Sequence, residues 1–217
     1  MKNRFDLIIF DWDGTLINSI DWIVSCLQKS AERCNCMVPE HQAARDVIGL
    51  SIKKAMQALF PGTDDDMHDH LVACYSREYL SRQICRDDLF SGVYDMLVQL
   101  KQTGYQLAVA TGKNRTGLQK ALQSTGTEEL FCITRCADET ASKPDPKMLQ
   151  EIMQHTHTAN ERTLMVGDSI HDLQMALNAQ VSAIAVSCGA HSEQLLHQYN
   201  PLVCLPQTAD LMKIIQG

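Results

Sequence analysis

The sequence predicts an α/β fold, a doubly wound parallel sheet with an α-helical domain inserted after the first strand. Three observations predict it. Leu7-Ile8-Ile9-Phe10 is an unbroken apolar run, the pattern of a central parallel strand buried on both faces. From Gly92 onward, short apolar runs alternate with amphipathic helical stretches, which implies parallel strands joined by right-handed crossovers. Between them, from Asn18 to Cys85, apolar residues recur only at helical spacing. The expected division is a core of residues 1–17 and 86–217 and a helical cap of residues 18–85. A chain of 217 residues can bury a core of that kind, as one domain or one domain with an insertion.

After Leu16, Asn18 or Ser19 is placed to cap a helix whose apolar face is Ile20, Ile23, Val24, Leu27 and Ala31. Val38-Pro39-Glu40 separates two helical pieces, and Gly49-Leu50 interrupts the next. Ser51 then reads as an N-cap for Ile52, Ala55, Met56, Leu59 and Phe60. Pro61-Gly62 stops that helix, and Thr63 to Asp66 opens another through Leu71, Cys74, Tyr75 and Tyr79. Beyond Gly92, Val93, Met96, Leu97 and Leu100 form a helix ending near Gly104. Strands follow at Gln106–Ala110, Phe131–Thr134, Thr163–Val166, Val181–Val186 and Leu202–Leu205. The helices between them end at Gly126, begin near Pro146, and carry Leu173, Ala176 and Leu177. A last helix runs from Ala209 to Ile215.

Composition excludes some classes of function. The formal net charge is -7 with no long basic run, so nucleic acid and anionic membrane are not expected partners. No apolar segment is long enough to span a bilayer. The first six residues do not read as a signal peptide. Nine cysteines without such a signal suggest free thiols in a reducing cytoplasm. Cys34-Asn-Cys36 lacks the C-x-x-C spacing of zinc ribbons and redox pairs, and reads as packing. His68 and His70, like His155 and His157, are two apart and do not share a helix face.

Four polar clusters fall at expected strand ends, where ligands bind in open α/β sheets. They are Asp11 with Asp13, Thr111-Gly112-Lys113, Lys143-Pro144, and Gly167-Asp168-Ser169-Ile170-His171-Asp172. Each has a bland reading: an Asp-Gly turn, a turn threonine, a solvated lysine, acids at a helix start. Their order along the strand–helix pattern favours a joint functional one. His171 reads as a filler at the pocket edge or in solvent.

Asp11-x-Asp13-Gly14-Thr15, Thr111, Lys143 and Gly167-Asp168-x-x-x-Asp172 resemble the signature of the haloacid dehalogenase (HAD) superfamily phosphatases. The resemblance covers essentially the whole chain and is closest to the phosphoglycolate phosphatase-like subgroup. It implies a Rossmann-like HAD core with a helical cap, hinged near Leu16–Ser19 and Cys85–Leu89. Asp11 is then the nucleophile and Asp13 the general acid and base. Thr111, Lys143, Gly112 and the Gly14 backbone would bind phosphate. Asp11, the Asp13 carbonyl and Asp168 would hold Mg²⁺, with Asp172 and Ser169 behind them. So many carboxylates around a phosphate dianion make a divalent cation close to obligatory. One departure is Gln180, where such sequences often have glycine.

The implied activity is Mg²⁺-dependent hydrolysis of a small phosphorylated metabolite, a phosphoglycolate-like acid or sugar phosphate. Arg45 and Ser51 are candidates for contacting its non-phosphate end, arginine because its fork suits a carboxylate. Three other readings compete. A phosphonoacetaldehyde hydrolase would use a cap lysine such as Lys53, but the retained Asp13 suits an oxygen leaving group. A sugar phosphomutase also retains Asp13. A catalytically silent phosphometabolite-binding protein would not need the full set of reactive side chains. Oligomeric state leaves no signal in the sequence.

Overall fold

The structure, a computed structural model, describes residues 4–215. The remaining residues of the expected core, 1–3 and 216–217, lie outside these.

The chain begins with β1 (Leu7–Phe10). Four helices follow: α1 (Ile20–Arg33), α2 (His41–Asp46), α3 (Ile52–Leu59) and α4 (Asp65–Tyr79). The chain then alternates through α5 (Val93–Gln102), β2 (Gln106–Thr111), α6 (Arg115–Thr125) and β3 (Ile133–Cys136). Next come α7 (Lys147–Thr156), β4 (Thr163–Gly167), α8 (Ile170–Asn178) and β5 (Ser182–Val186). Finally come α9 (Glu193–Leu196), β6 (Cys204–Leu205) and α10 (Leu211–Ile215).

The six strands form one parallel sheet in the order β3-β2-β1-β4-β5-β6. β1 is central, and all four of its residues are buried. Ile8 and Phe10 face one helical layer with Met96, Leu97, Leu118 and Leu122 of α5 and α6. Leu7 and Ile9 face the other, with Met148, Leu149 and Ile152 of α7 and Met175 of α8. The absence of polar alternation in β1 follows from having helices on both faces.

Between Ile20 and Tyr79 the described residues hold helices and no strand. α1, α3 and α4 share a separate apolar core of Ile23, Val24, Leu27, Ala55, Met56, Leu71 and Cys74. The chain enters and leaves this helical unit through two segments that pair with each other. Asn18 N–H donates to Asp88 O at 2.8 Å, and Phe90 N–H donates to Leu16 O at 3.0 Å.

Ser51 caps α3 as expected, its Oγ accepting from Lys54 N–H at 3.4 Å. Ser19 stands before α1 but does not cap it, because its hydroxyl is turned to Asp13. β3 begins two residues later than expected. It is an edge strand, and its outer residues Thr134 and Arg135 serve polar contacts, so the apolar Phe131-Cys132 pair precedes the ladder. β6 keeps only the last two of the four expected residues. Gln180 lies in the left-handed region with φ +56, ending α8 where a glycine would be free of strain.

Candidate active site

Asp11 and Asp13 follow β1 at the carboxyl edge of the sheet, and both are buried. The ladder with β4 continues one residue past the strand, since Asp11 N–H donates to Val166 O at 3.0 Å. A tight loop then fixes Asp13. Leu16 and Ile17 N–H both donate to Trp12 O, and Gly14 N–H donates to Ile17 O at 2.9 Å. Gly14 has φ +80, and a Cβ there would overlap the Asp168 carboxylate. This corrects the expectation that the Gly14 N–H serves an anion. That N–H is already used, and glycine is needed for conformation and close approach.

Lys143 comes from the loop before α7 and is fully buried. Its Nζ lies 2.6 Å from Asp11 Oδ1 and 2.6 Å from Asp172 Oδ1. Burial opposes its charge, but Asp11 and Asp172 override that and raise its pKa. Asp172 is in turn held by a reciprocal cap at the start of α8. Its Oδ2 accepts from Ser169 Oγ at 2.6 Å and from Ser169 N–H at 3.1 Å. Held in this way, Asp172 positions Lys143.

Asp168 ends the β4 side of the site. It accepts from Thr15 Oγ1 at 2.6 Å and from Ala190 N–H at 2.7 Å. Carboxylate oxygens of Asp11, Asp168 and Asp172 lie within 4.8 Å of one another. Burial and the neighbouring Asp172 push Asp168 up to about 7. Burial raises Asp11 well above the usual carboxylate range, against the pull of Lys143. Three buried carboxylates beside one ammonium leave uncompensated negative charge. An all-oxygen set of this kind fits a small hard divalent cation.

The cap packs over these groups. A cavity of about 140 Å³ lies between cap and core, lined from the core by Asp11, Asp13, Thr111, Gly112 and Lys113. Its cap wall includes Ile23, Leu27, Leu50, Ile52, Tyr75 and Tyr79, and is mostly apolar. Thr111 ends β2 and is buried. A Cβ on Gly112 would overlap the carbonyl oxygens of Leu50 and Gly49, so the cap loop lies directly against this turn.

Two contacts to Asp13 were not expected. Ser19 Oγ donates to its Oδ1 at 2.7 Å, and Lys113 Nζ stands 3.0 Å from its Oδ2. Lys113 also donates to the Tyr79 hydroxyl at 2.6 Å. The sequence points to the neighbouring Thr111-Gly112 pair as the functional part of that turn. The lysine's burial became visible only with α4 in place.

Arg45 and Ser51 are not brought to the cavity. The Arg45 guanidinium donates to Gly189 O at 2.6 Å and to Ala190 O at 3.2 Å. It lines a separate surface hollow with His41, Gln42 and His191. Two carbonyls distant in sequence engage its Nε and Nη2, and Nη1 stands 3.9 Å from Asp21 Oδ1, which corrects its expected place at the substrate. Besides capping α3, Ser51 donates its N–H to Ser142 Oγ at 2.8 Å, a link between cap and core. Lys53 is exposed, 3.2 Å from Asp69, and does not line the cavity. His171 bonds the Asp46 carbonyl of α2 at 2.9 Å, so it also holds cap to core rather than facing solvent freely.

No helix of the described residues is long and apolar enough to cross a membrane. Pyrophosphatase PpaX of Halalkalibacterium halodurans is 29% identical, covering 98% of this chain and 97% of that protein. A phosphatase named IndB from Dickeya dadantii is 32% identical, covering 95% and 91%. A haloacid dehalogenase-like hydrolase structure from Bacteroides fragilis superposes with a TM-score of 0.87 at 25% identity, covering 95% and 99%. The β-phosphoglucomutase structure from Clostridium difficile has the same fold, with a TM-score of 0.85 at 14% identity, covering 98% and 96%. The family model described as haloacid dehalogenase-like hydrolase matches residues 8–186, a span that includes every carboxylate and lysine of the site; the chain belongs to that family.

Proposed function

We propose that this hydrolase is a Mg²⁺-dependent phosphatase for a small phosphate monoester, a phosphoglycolate-like acid or sugar phosphate. The observation that carries the reading is the buried Asp11–Lys143–Asp172 chain, which holds Asp11 at the cavity under the cap that it shares with Asp13 and Thr111.

Asp11 Oδ attacks phosphorus and displaces the alkoxide, forming an aspartyl-phosphate. Asp13 gives its proton to the leaving oxygen. It then takes a proton from the water that attacks the aspartyl-phosphate, which returns Asp11 and releases inorganic phosphate. Lys143, the Thr111 hydroxyl and the Gly112 backbone hold the non-bridging oxygens. Asp11, Asp168 and the Asp13 carbonyl would hold the Mg²⁺, which supplies positive charge at the developing negative oxygens. The helical unit of residues 18–85 acts as a cap that excludes bulk water from the acyl phosphate. Its chamber suits small metabolites, not phosphoproteins or nucleic acids.

A second reading is pyrophosphate hydrolysis, the activity in the printed name of several relatives. Against it, Lys113 is the one cationic side chain among the described residues that line the cavity, and the cap wall is mostly apolar. An organic leaving group meets that wall at lower cost than a second phosphate. Exposed Lys53 gives no support to a Schiff-base mechanism. The test is a panel of phosphoglycolate, sugar phosphates, pyrophosphate and an aryl phosphate, each assayed with Mg²⁺ and with chelator. Hydrolysis of monoesters above pyrophosphate supports the reading. No Mg²⁺-dependent phosphate release from any of them overturns it.

A further inference from the structure

Far from the catalytic carboxylates, the cap gathers a second set of ligand-bearing side chains. α1 ends in a left-handed turn at Asn35, with φ +52. Asn35 N–H donates to Glu32 O at 3.1 Å, and Cys36 N–H folds back to Ala31 O at 2.9 Å. That paired return holds Cys34 and Cys36 at the carboxyl end of α1. α4 packs along α1 and presents His70 and Cys74, four residues apart and therefore on one face. One ligand atom each from Cys34, His70 and Cys74 lies within 4.8 Å of the others.

We propose that Cys34, His70 and Cys74 form a binding site for a thiophilic divalent metal ion of the zinc class, which clips α1 to α4. Tetrahedral zinc, with bonds of about 2.3 Å to sulfur and about 2.0 Å to nitrogen, spaces its ligands by roughly 3.5–3.8 Å. The cluster closes to that spacing with side-chain movements of about 1 Å. Cys36 stands beside Cys34, its Sγ 3.7 Å from the Cys34 carbonyl, and is not one of the three clustered ligands. Thiolates and an imidazole select zinc-like ions over Mg²⁺, so this site and the all-oxygen one do not compete for the same metal. The negative end of the α1 dipole adds to the attraction for a cation.

Packing alone accounts for Cys34 and Cys74, which are buried at 8% and 5% exposure. It does not account for an exposed imidazole set over both thiols. Coordination is by thiolate, so binding releases one proton from Cys34 and one from Cys74. The two thiolates balance the 2+ charge, and affinity rises with pH. Helix α1 has 14 residues, about 20 Å, and its other end adjoins Ser19 and Asp13. The metal thus stabilises the cap without touching the reaction.

The test uses the reduced full-length protein, stripped with chelator and titrated with Co²⁺ and then Zn²⁺. The expected result is thiolate-to-cobalt charge-transfer absorption saturating at one equivalent, displaced by Zn²⁺, with a rise in melting temperature on Zn²⁺ addition. Cys34→Ser and Cys74→Ser remove the absorption. The exposed His70→Ala keeps the fold and phosphatase activity, but weakens Zn²⁺ binding by at least the roughly 10–100-fold that loss of a mere supporting group costs. Absence of the absorption, its persistence in both cysteine variants, or a Cys34–Cys74 disulfide that forms in air with no metal uptake beforehand would overturn the proposal.

Discussion

The Tyr79 hydroxyl of the cap accepts a 2.6 Å hydrogen bond from Lys113 of the core. The same ammonium stands 3.0 Å from Asp13, and burial fails to discharge it because Asp13 and Tyr79 raise its pKa. Lys113 thus contacts both the cap and Asp13. Lys113→Met should lower stability by about 3–5 kcal/mol, since a buried carboxylate loses its counter-charge. It should also lower kcat/KM. Tyr79→Phe keeps that charge and should cost only about 1 kcal/mol. Denaturant unfolding and steady-state kinetics on both variants check the ordering; equal effects would remove the ion pair from the argument.

Asp11→Asn should abolish turnover, because a neutral amide does not attack phosphorus. Asp13→Asn should slow it by about 10²-fold or more through loss of the proton donor. Chelation should silence the wild type and Mg²⁺ restore it. Phosphate-release assays on folded, metal-loaded samples decide the matter, and chelator-resistant activity would exclude a metal role.

Gly112→Ala probes the contact between cap and core. Its new methyl meets the Leu50 and Gly49 carbonyls, which belong to the cap loop. The cap must stand off, so KM should rise while the isolated core packing is unaffected. A variant with unchanged KM would mean that the cap is held elsewhere during turnover.

Gln180→Gly should stabilise the protein. A non-glycine residue at φ +56 costs about 1–2 kcal/mol, partly offset by the greater chain entropy of glycine when unfolded, about 0.5–1 kcal/mol. A net gain of about 0.5–1 kcal/mol is expected in thermal or urea unfolding, with activity unchanged.

Acidification should loosen the junction near α2. Burial lowers the pKa of His171, and burial together with His171 lowers that of His191. Asp46 faces both from the cap, through its carbonyl to His171 and its carboxylate 3.8 Å from His191, and Arg45 adds positive charge nearby. Both imidazoles are neutral in the fold at pH values where the unfolded chain protonates them. Stability from this pair is therefore intact above about pH 6.5 and falls as pH drops below it. Melting temperatures from pH 7.5 to 5 in wild type and His171→Asn should converge at low pH.

The carboxyl ends of the central strands were legible because unbroken apolar runs announce buried strands. Asp11, Thr111 and Asp168 fall at or just after the ends of three of them. The helical character of residues 20–79 was equally plain from spacing. Hidden were the pairings that only tertiary closure creates. Arg45 looked like a substrate ligand, yet its partners are the carbonyls of Gly189 and Ala190. Gly14 looked like an anion donor, yet its N–H closes a local turn. The contacts of Lys113, Ser19 and His70 were hidden because their partners lie on other helices or loops.

The central place of β1 carries a consequence for synthesis. Leu7 pairs with Gln106 on one side and Thr163 on the other. When β1 leaves the ribosome, neither neighbour exists, and the helices from Ile20 to Tyr79 emerge before either does. Their main contacts lie within that segment, so they can collapse first and hold the apolar β1 segment near a folded surface while the rest is translated. The inserted unit then acts as a nursery for the strand that ends at Asp11, and truncating it should show first as aggregation of nascent chains.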